Sequence, residues 1–252
     1  MQMKTGENEE SAIWSVLMRL MKTGSVRLAV ILPTALFLSA ELSSAQPAIP
    51  AWVVYGIDTS GSYHLIDDAL RTAAAQSTRE AKHGDVWFFR QINDRSYDES
   101  AAILTVRCPA APAPVVNPYD RKAKARQQAA AQALQQVLAS AADYLRGFHP
   151  RPSHRTDVIG FFAKAGELLE AAPPNAVKEI RLSSDLADNV GQKAEVNLSG
   201  VRVIVSMFQG GASAQGAQMM RRTWSQRLLK WGAKDVQFLD PSQASVVEAI
   251  RR

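Results

Sequence analysis

The sequence predicts an α/β domain: a doubly wound, mostly parallel six-stranded sheet with one antiparallel edge strand and helices on both faces. Three observations point there. Short apolar runs alternate along the chain with stretches whose apolar residues recur at helical spacing, and that alternation builds parallel sheets through right-handed crossovers. Residues 51–57 (AWVVYGI) are almost continuously apolar, as a central strand buried on both faces requires. Only a short polar link, residues 93–100, separates the second and third strand candidates, so those two form a hairpin and the third runs antiparallel.

The elements follow in order. After the first strand, residues 65–82 place Leu65, Ile66, Ala69, Leu70, Ala73 and Ala74 at helical spacing, and His83-Gly84 ends the helix. Residues 85–92 (DVWFFRQI) are aromatic-rich and short, hence a second strand, and 101–107 (AAILTVR) a third. Residues 109–118 contain four prolines and no periodicity, so they form a loop. Residues 119–146 lack Gly and Pro and are rich in Ala and Gln, which predicts one long helix. Its apolar stripe runs through Ala130, Leu134, Val137, Leu138, Ala141 and Leu145, with Gly147 and Pro150 beyond its end. A helix over 158–171 turns Ile159, Phe162, Ala163, Leu168 and Leu169 inward. Strands follow at 176–182, 201–207 and 235–239, with a helix over 217–231 and a closing helix over 241–250.

The first 45 residues read as an N-terminal extension and signal peptide, and residues 46–252 as the folded domain. Arg27 precedes a short apolar run, residues 28–40, and Ser43-Ser44-Ala45 supplies small residues for cleavage. The run is short for a membrane span, so export to the periplasm or medium is expected over an uncleaved N-terminal anchor, which remains the alternative. The net charge is +5, but Trp and Tyr are not interleaved with the basic residues, so no nucleic-acid partner is expected. A single cysteine, Cys108, excludes an intrachain disulfide and a thiolate metal cluster.

Three loops carry oxygen-bearing side chains: Asp58-Thr59-Ser60-Gly61-Ser62 after the first strand, Arg155-Thr156-Asp157 before a helix, and Ser183-Ser184-Asp185 after the fourth strand. In a doubly wound fold such loops share one edge of the sheet. Each has a plainer reading. Ser60 or Ser62 caps the next helix, Thr156 is an N-cap, and Asp185 is a turn residue. His64, His83, His149 and His154 show no metal-ligand spacing and read as surface or loop residues. The Gly/Ser-rich stretch at 209–216 lacks the Lys-Ser/Thr ending of a phosphate loop.

Taken together, the Asp-x-Ser-Gly-Ser loop, the Thr-Asp pair and the Asp after the fourth strand resemble a von Willebrand factor type A domain, a Rossmann-like fold, in a bacterial exported protein. The resemblance spans about residues 51–250, with the Pro-rich loop and long helix at 109–150 as an insertion. It implies a metal-ion-dependent adhesion site with Asp58, Ser60, Ser62, Thr156 and Asp185 around Mg²⁺ or a similar divalent cation such as Mn²⁺ or Ca²⁺. It implies further a protein partner that supplies a carboxylate to the metal, and no enzymatic activity. The family carries Gly after the third-loop Asp, where this chain has Leu186. Replacing Asp58 by Ala is expected to remove the site and spare the sheet. Two other functions stay open: a phosphate-handling enzyme on a Rossmann-like fold, and a scaffold with a degenerate ion site. Oligomeric state is not readable from the sequence.

Overall fold

Strand β1 (Ala51–Asp58) is central in a six-stranded sheet of order β3-β2-β1-β4-β5-β6. The computed structural model describes residues 49–191 and 194–239; the expected leader (1–45) and closing helix (241–250) lie outside them. The other strands are β2 (Val86–Ile92), β3 (Ala102–Arg107), β4 (Val177–Ser183), β5 (Arg202–Ser206) and β6 (Asp235–Phe238). All neighbours pair in parallel except β2 and β3, which form the antiparallel hairpin at one edge. Four α-helices complete the described residues: α1 (Ile66–Glu80), α2 (Arg121–Arg146), α3 (Val158–Glu170) and α4 (Ala214–Lys230).

The alternation of side chains along β1 sorts the helices into two layers. Val53, Tyr55 and Ile57 pack with Ala69, Leu70 and Ala73 of α1 and Leu138 and Leu145 of α2. Val54 faces the other layer, with Phe161 and Phe162 of α3 and Trp224 and Leu228 of α4. Gly56 lets α3 seat on the strand: a Cβ there would lie 2.5 Å from Phe161 Cζ. The α1 layer also encloses an ionic group on β4. Arg181 bonds Glu179 and, at 2.7 Å, Glu80 of α1, and its guanidinium lies 5.3 Å from the Trp87 ring. Burial alone would weaken the hold of Arg181 on its proton, but the two carboxylates outweigh it and raise its pKa.

Several boundaries and faces differ from the sequence reading, each for a local reason. Helix α2 starts at Arg121 because the Asp120 carboxylate caps it, accepting from the Lys122 and Ala123 N–H groups at 2.9 and 3.0 Å. Its C-terminal half packs into the α1 layer through Leu138, Ala141, Ala142 and Leu145, whereas its first three turns are exposed apart from Ala123 and half-buried Ala130. Helix α4 begins at Ala214, three residues earlier than its apolar spacing indicates, because Ser213 Oγ accepts from Gly216 N–H at 3.1 Å. Helix α3 buries more than a stripe. Phe161 and Ala165 are covered with the expected residues, and a Cβ on Gly166 would meet the Asn197 carbonyl oxygen at 2.5 Å.

Candidate functional site

The chain leaves β1 toward β2 on one side, and its second half starts from β4 on the other side of β1. The strand order therefore reverses between β1 and β4, and the loops after them border the crevice where open α/β sheets bind ligands.

Asp58 closes β1, as its place at the end of the apolar run indicates, and is fully buried. Its Oδ1 accepts from Ser60 N–H at 2.9 Å, and its Oδ2 accepts from Ser184 Oγ at 2.6 Å. Burial pushes the Asp58 carboxyl above the usual carboxylate range; the Ser184 and Ser60 bonds oppose the shift, and the nearby Asp185 charge adds to it. Ser60 Oγ and Ser62 Oγ are 3.1 Å apart, and Ser62 Oγ donates to Asp185 Oδ2 at 2.9 Å. A chain of hydroxyls thus joins the first loop to the third. Neither serine caps α1, whose N-cap position is Leu65 with no side-chain bond.

The second loop is fastened to the first by backbone bonds. Ser153 N–H donates to the Thr59 carbonyl at 3.1 Å, and Gly61 N–H to the Ser153 carbonyl at 2.8 Å. The cap of α3 is Asp157, whose Oδ1 accepts from Gly160 N–H at 2.8 Å. Thr156 is therefore not a cap. Its backbone is clamped by Asn189, which accepts from Thr156 N–H at 2.7 Å and donates to the Thr156 carbonyl at 3.0 Å. The Thr156 hydroxyl is buried and has no hydrogen-bond partner among the described residues.

Asp185 both turns the third loop and faces the first: its Oδ1 accepts from Ala187 N–H at 2.9 Å while Oδ2 holds Ser62. Leu186 has φ +58°, the left-handed conformation that glycine adopts at little cost. Two contacts hold it there. Its side chain is buried in the α3–α4 core, and its carbonyl accepts from Trp224 Nε1 at 3.1 Å. The substitution of Leu for Gly thus keeps a glycine-like backbone.

Four of the five residues singled out in the sequence, Asp58, Ser60, Ser62 and Asp185, meet in one hydrogen-bonded chain, with Ser184 as a further link. Thr156 reaches the same edge through Ser153 and Asn189, without a side-chain bond to the other four. Sequence reasoning missed Ser184 and Asn189 as parts of the site. Ser184 was visible beside Asp185, whereas nothing in the sequence links Asn189 to a residue 33 positions away. Among the described residues no three His, Cys, Asp or Glu side chains gather as a metal-binding group, so any cation here depends on the hydroxyls. His83 lies away from this edge, with Nδ1 3.1 Å from the Pro109 carbonyl oxygen. No described helix is long and apolar enough to cross a membrane.

No family model and no curated protein matches the chain. Among solved structures, it is similar to the pilus adhesin SpaC of Lactobacillus rhamnosus GG in its open conformation, at 12% identity and TM-score 0.47, over 82% of this chain and 30% of that one. It is also similar to a von Willebrand factor type A protein from Catenulispora acidiphila, at 15% identity and TM-score 0.44, over 79% of this chain and 41% of that one. A third is an aerotolerance-related membrane protein from Bacteroides fragilis NCTC 9343 with multiple mutations to serines, at 14% identity and TM-score 0.43, over 80% of this chain and 96% of that one. The chain spans less than half the length of the first two. By its sheet order and its antiparallel edge strand, the domain has a von Willebrand factor type A-like fold.

Proposed function

We propose that this domain is a metal-dependent protein-binding module of an exported protein and not an enzyme. The observation that carries this reading is the buried, unpartnered hydroxyl of Thr156 at the edge where Asp58 and Asp185 lie. A buried hydroxyl without a partner costs about 1–3 kcal/mol, and a cation is one way to recover that cost. Asp58, Asp185, Ser60, Ser62 and Thr156 form an all-oxygen set with two carboxylates, which suits a hard ion such as Mg²⁺, Mn²⁺ or Ca²⁺ and offers nothing soft to zinc. The cation supplies an electrophilic point for a carboxylate of the partner.

The electrostatics support the same reading. Asp58 holds its proton more tightly than a free carboxyl because it is buried and near Asp185. A divalent ion competes with that proton, so affinity for the ion falls as pH drops. The Asp58 and Ser62 bonds to the third loop give the two carboxylates a fixed relation before any ion binds.

Capture of partners from exported material tests the proposal. Immobilised full-length chain is expected to retain more of a specific protein in Mg²⁺ than with a chelator, and the Asp58→Asn variant to show no such difference. Equal retention with Mg²⁺ and with chelator overturns the metal dependence.

A further inference from the structure

A polar groove lies beside the candidate site. The segment between α2 and α3, from Phe148 to Arg155, forms one wall, and Asn93 and Asp94 after β2 form part of the other, around a cavity of about 710 Å³. A second hollow of about 420 Å³ shares His149, Pro150 and Pro152 with the first and reaches Ser60 and Gly61 of the first loop. The two hollows, together the trough, flank that shared segment, and the second borders a proposed ion ligand, Ser60. Ser153 ties its wall to that loop through the backbone bonds with Thr59 and Gly61.

The positive charge of the trough sits on the wall between α2 and α3. Arg151 and Arg155 line it, both exposed, and among the described residues neither guanidinium has an ion-pair partner. Three exposed arginines, Arg71, Arg95 and Arg146, each pair with an Asp three residues before or after, whereas Arg107, Arg121, Arg126 and Arg222 are exposed without an ion pair among the described residues but lie outside the trough. Three of the chain's four histidines, His64, His149 and His154, also line it, adding imidazole donors. The opposing charges are Asp94, whose Oδ1 already accepts from Ser153 Oγ at 3.0 Å, and Asp67 at the start of α1. Of the Phe and Tyr rings on its walls, Phe148 and Tyr63, the second is buried, so the trough offers little for stacking nucleic-acid bases.

We propose that the trough binds an extended acidic segment of the partner protein, whose further carboxylates lie against Arg151 and Arg155 while one carboxylate meets the candidate ion site. The placement of that one carboxylate rests on the metal-dependent reading; the charge of the trough does not. Guanidinium forks match carboxylates in a bidentate geometry, and charges at the rim of an interface set partner choice and encounter rate.

Fluorescence anisotropy on the full-length chain tests this with three probes: a peptide with one Asp, a peptide of equal length with that Asp and three Glu, and an oligothymidylate of matching charge. Wild type is expected to bind the multi-acidic peptide about ten-fold more tightly than the single-Asp peptide at low salt, a preference that shrinks at high salt. The Arg151→Glu/Arg155→Glu double variant, whose changes are at exposed positions, is expected to keep its melting temperature and lose the preference. Asp58→Asn separates the two readings: it is expected to remove the Mg²⁺-dependent part of binding and leave the arginine-dependent preference. A preference that survives the double variant overturns the proposal, whatever Mg²⁺ does. So does an oligothymidylate that binds as tightly as the multi-acidic peptide, because the trough would then be a general polyanion surface.

Discussion

Replacing Thr156 by Val removes the hydroxyl and keeps the branched shape. The side chain is fully buried, and its Oγ1 makes no hydrogen bond among the described residues. The backbone bonds between Thr156 and Asn189 do not involve the hydroxyl and survive the change. An unsatisfied buried hydroxyl costs about 1–3 kcal/mol, so the metal-free Val variant is expected to be more stable than wild type by about that amount. For a domain of this size each kcal/mol moves Tm by about 2–4 °C. Mg²⁺ reverses the order. A ligand that binds only the folded state stabilises it by about 2.7 kcal/mol at a hundredfold excess over Kd, and the variant, lacking one oxygen donor, gains less. Calorimetric scans of both proteins in chelator and in Mg²⁺ give the four values needed. If Val lowers Tm in chelator, the hydroxyl is satisfied in the fold, and the strongest support for an ion site is gone.

Three further outcomes follow from the structure. At Leu186, φ +58° penalises any residue with a Cβ, so Leu186→Gly is expected to be more stable than Leu186→Ala by about 1 kcal/mol, with both below wild type for loss of the buried side chain; urea melts rank the three. Arg181→Met removes the nearer cation from the buried Glu179 carboxylate, leaving Arg202 at 4.0 Å, and is expected to cost about 3 kcal/mol, read as a lower urea midpoint; a change within error would show that the ionic group is not coupled to the fold. Burial and the Asp85 charge push the Cys108 thiol up to about 11, so native protein is expected to react slowly with a thiol-alkylating reagent at neutral pH and rapidly in urea; equal rates would place the thiol in solvent.

The sheet was legible because its strands announce themselves by period and composition. The apolar run of β1 requires cover on both faces, and the short link between β2 and β3 leaves room only for a hairpin. The candidate site was legible in its residue types, because Asp58, Ser60, Ser62 and Asp185 stand at strand ends. Their states were not. The buried Asp58 carboxylate accepts from Ser184, far away in sequence, and Thr156 is freed from capping by its neighbour Asp157. The departure at Leu186 carried no sequence signal of its outcome either. A left-handed Leu persists only because the core and the Trp224 indole hold it, and both are tertiary facts. Helix α4 was misplaced at its start because Ser213 caps through a hydrogen bond that hydropathy spacing does not register. The trough beside the site was invisible, since it joins residues after β2 to the segment between α2 and α3.

The central claim is that Asp58 and its neighbours hold a hard divalent cation. Thermal denaturation of the full-length chain across a Mg²⁺ titration tests it most directly, with Asp58→Asn as the comparison, because Asn keeps an acceptor for Ser60 N–H, drops the charge and replaces the acceptor facing Ser184 Oγ by a donor. The account predicts that wild-type Tm rises with Mg²⁺ along a saturable curve, reaching about 2.7 kcal/mol of added stability at a hundredfold excess over Kd, while Asp58→Asn shows no saturable rise. A wild-type Tm that is flat in Mg²⁺, Mn²⁺ and Ca²⁺, or that rises equally in Asp58→Asn, contradicts it.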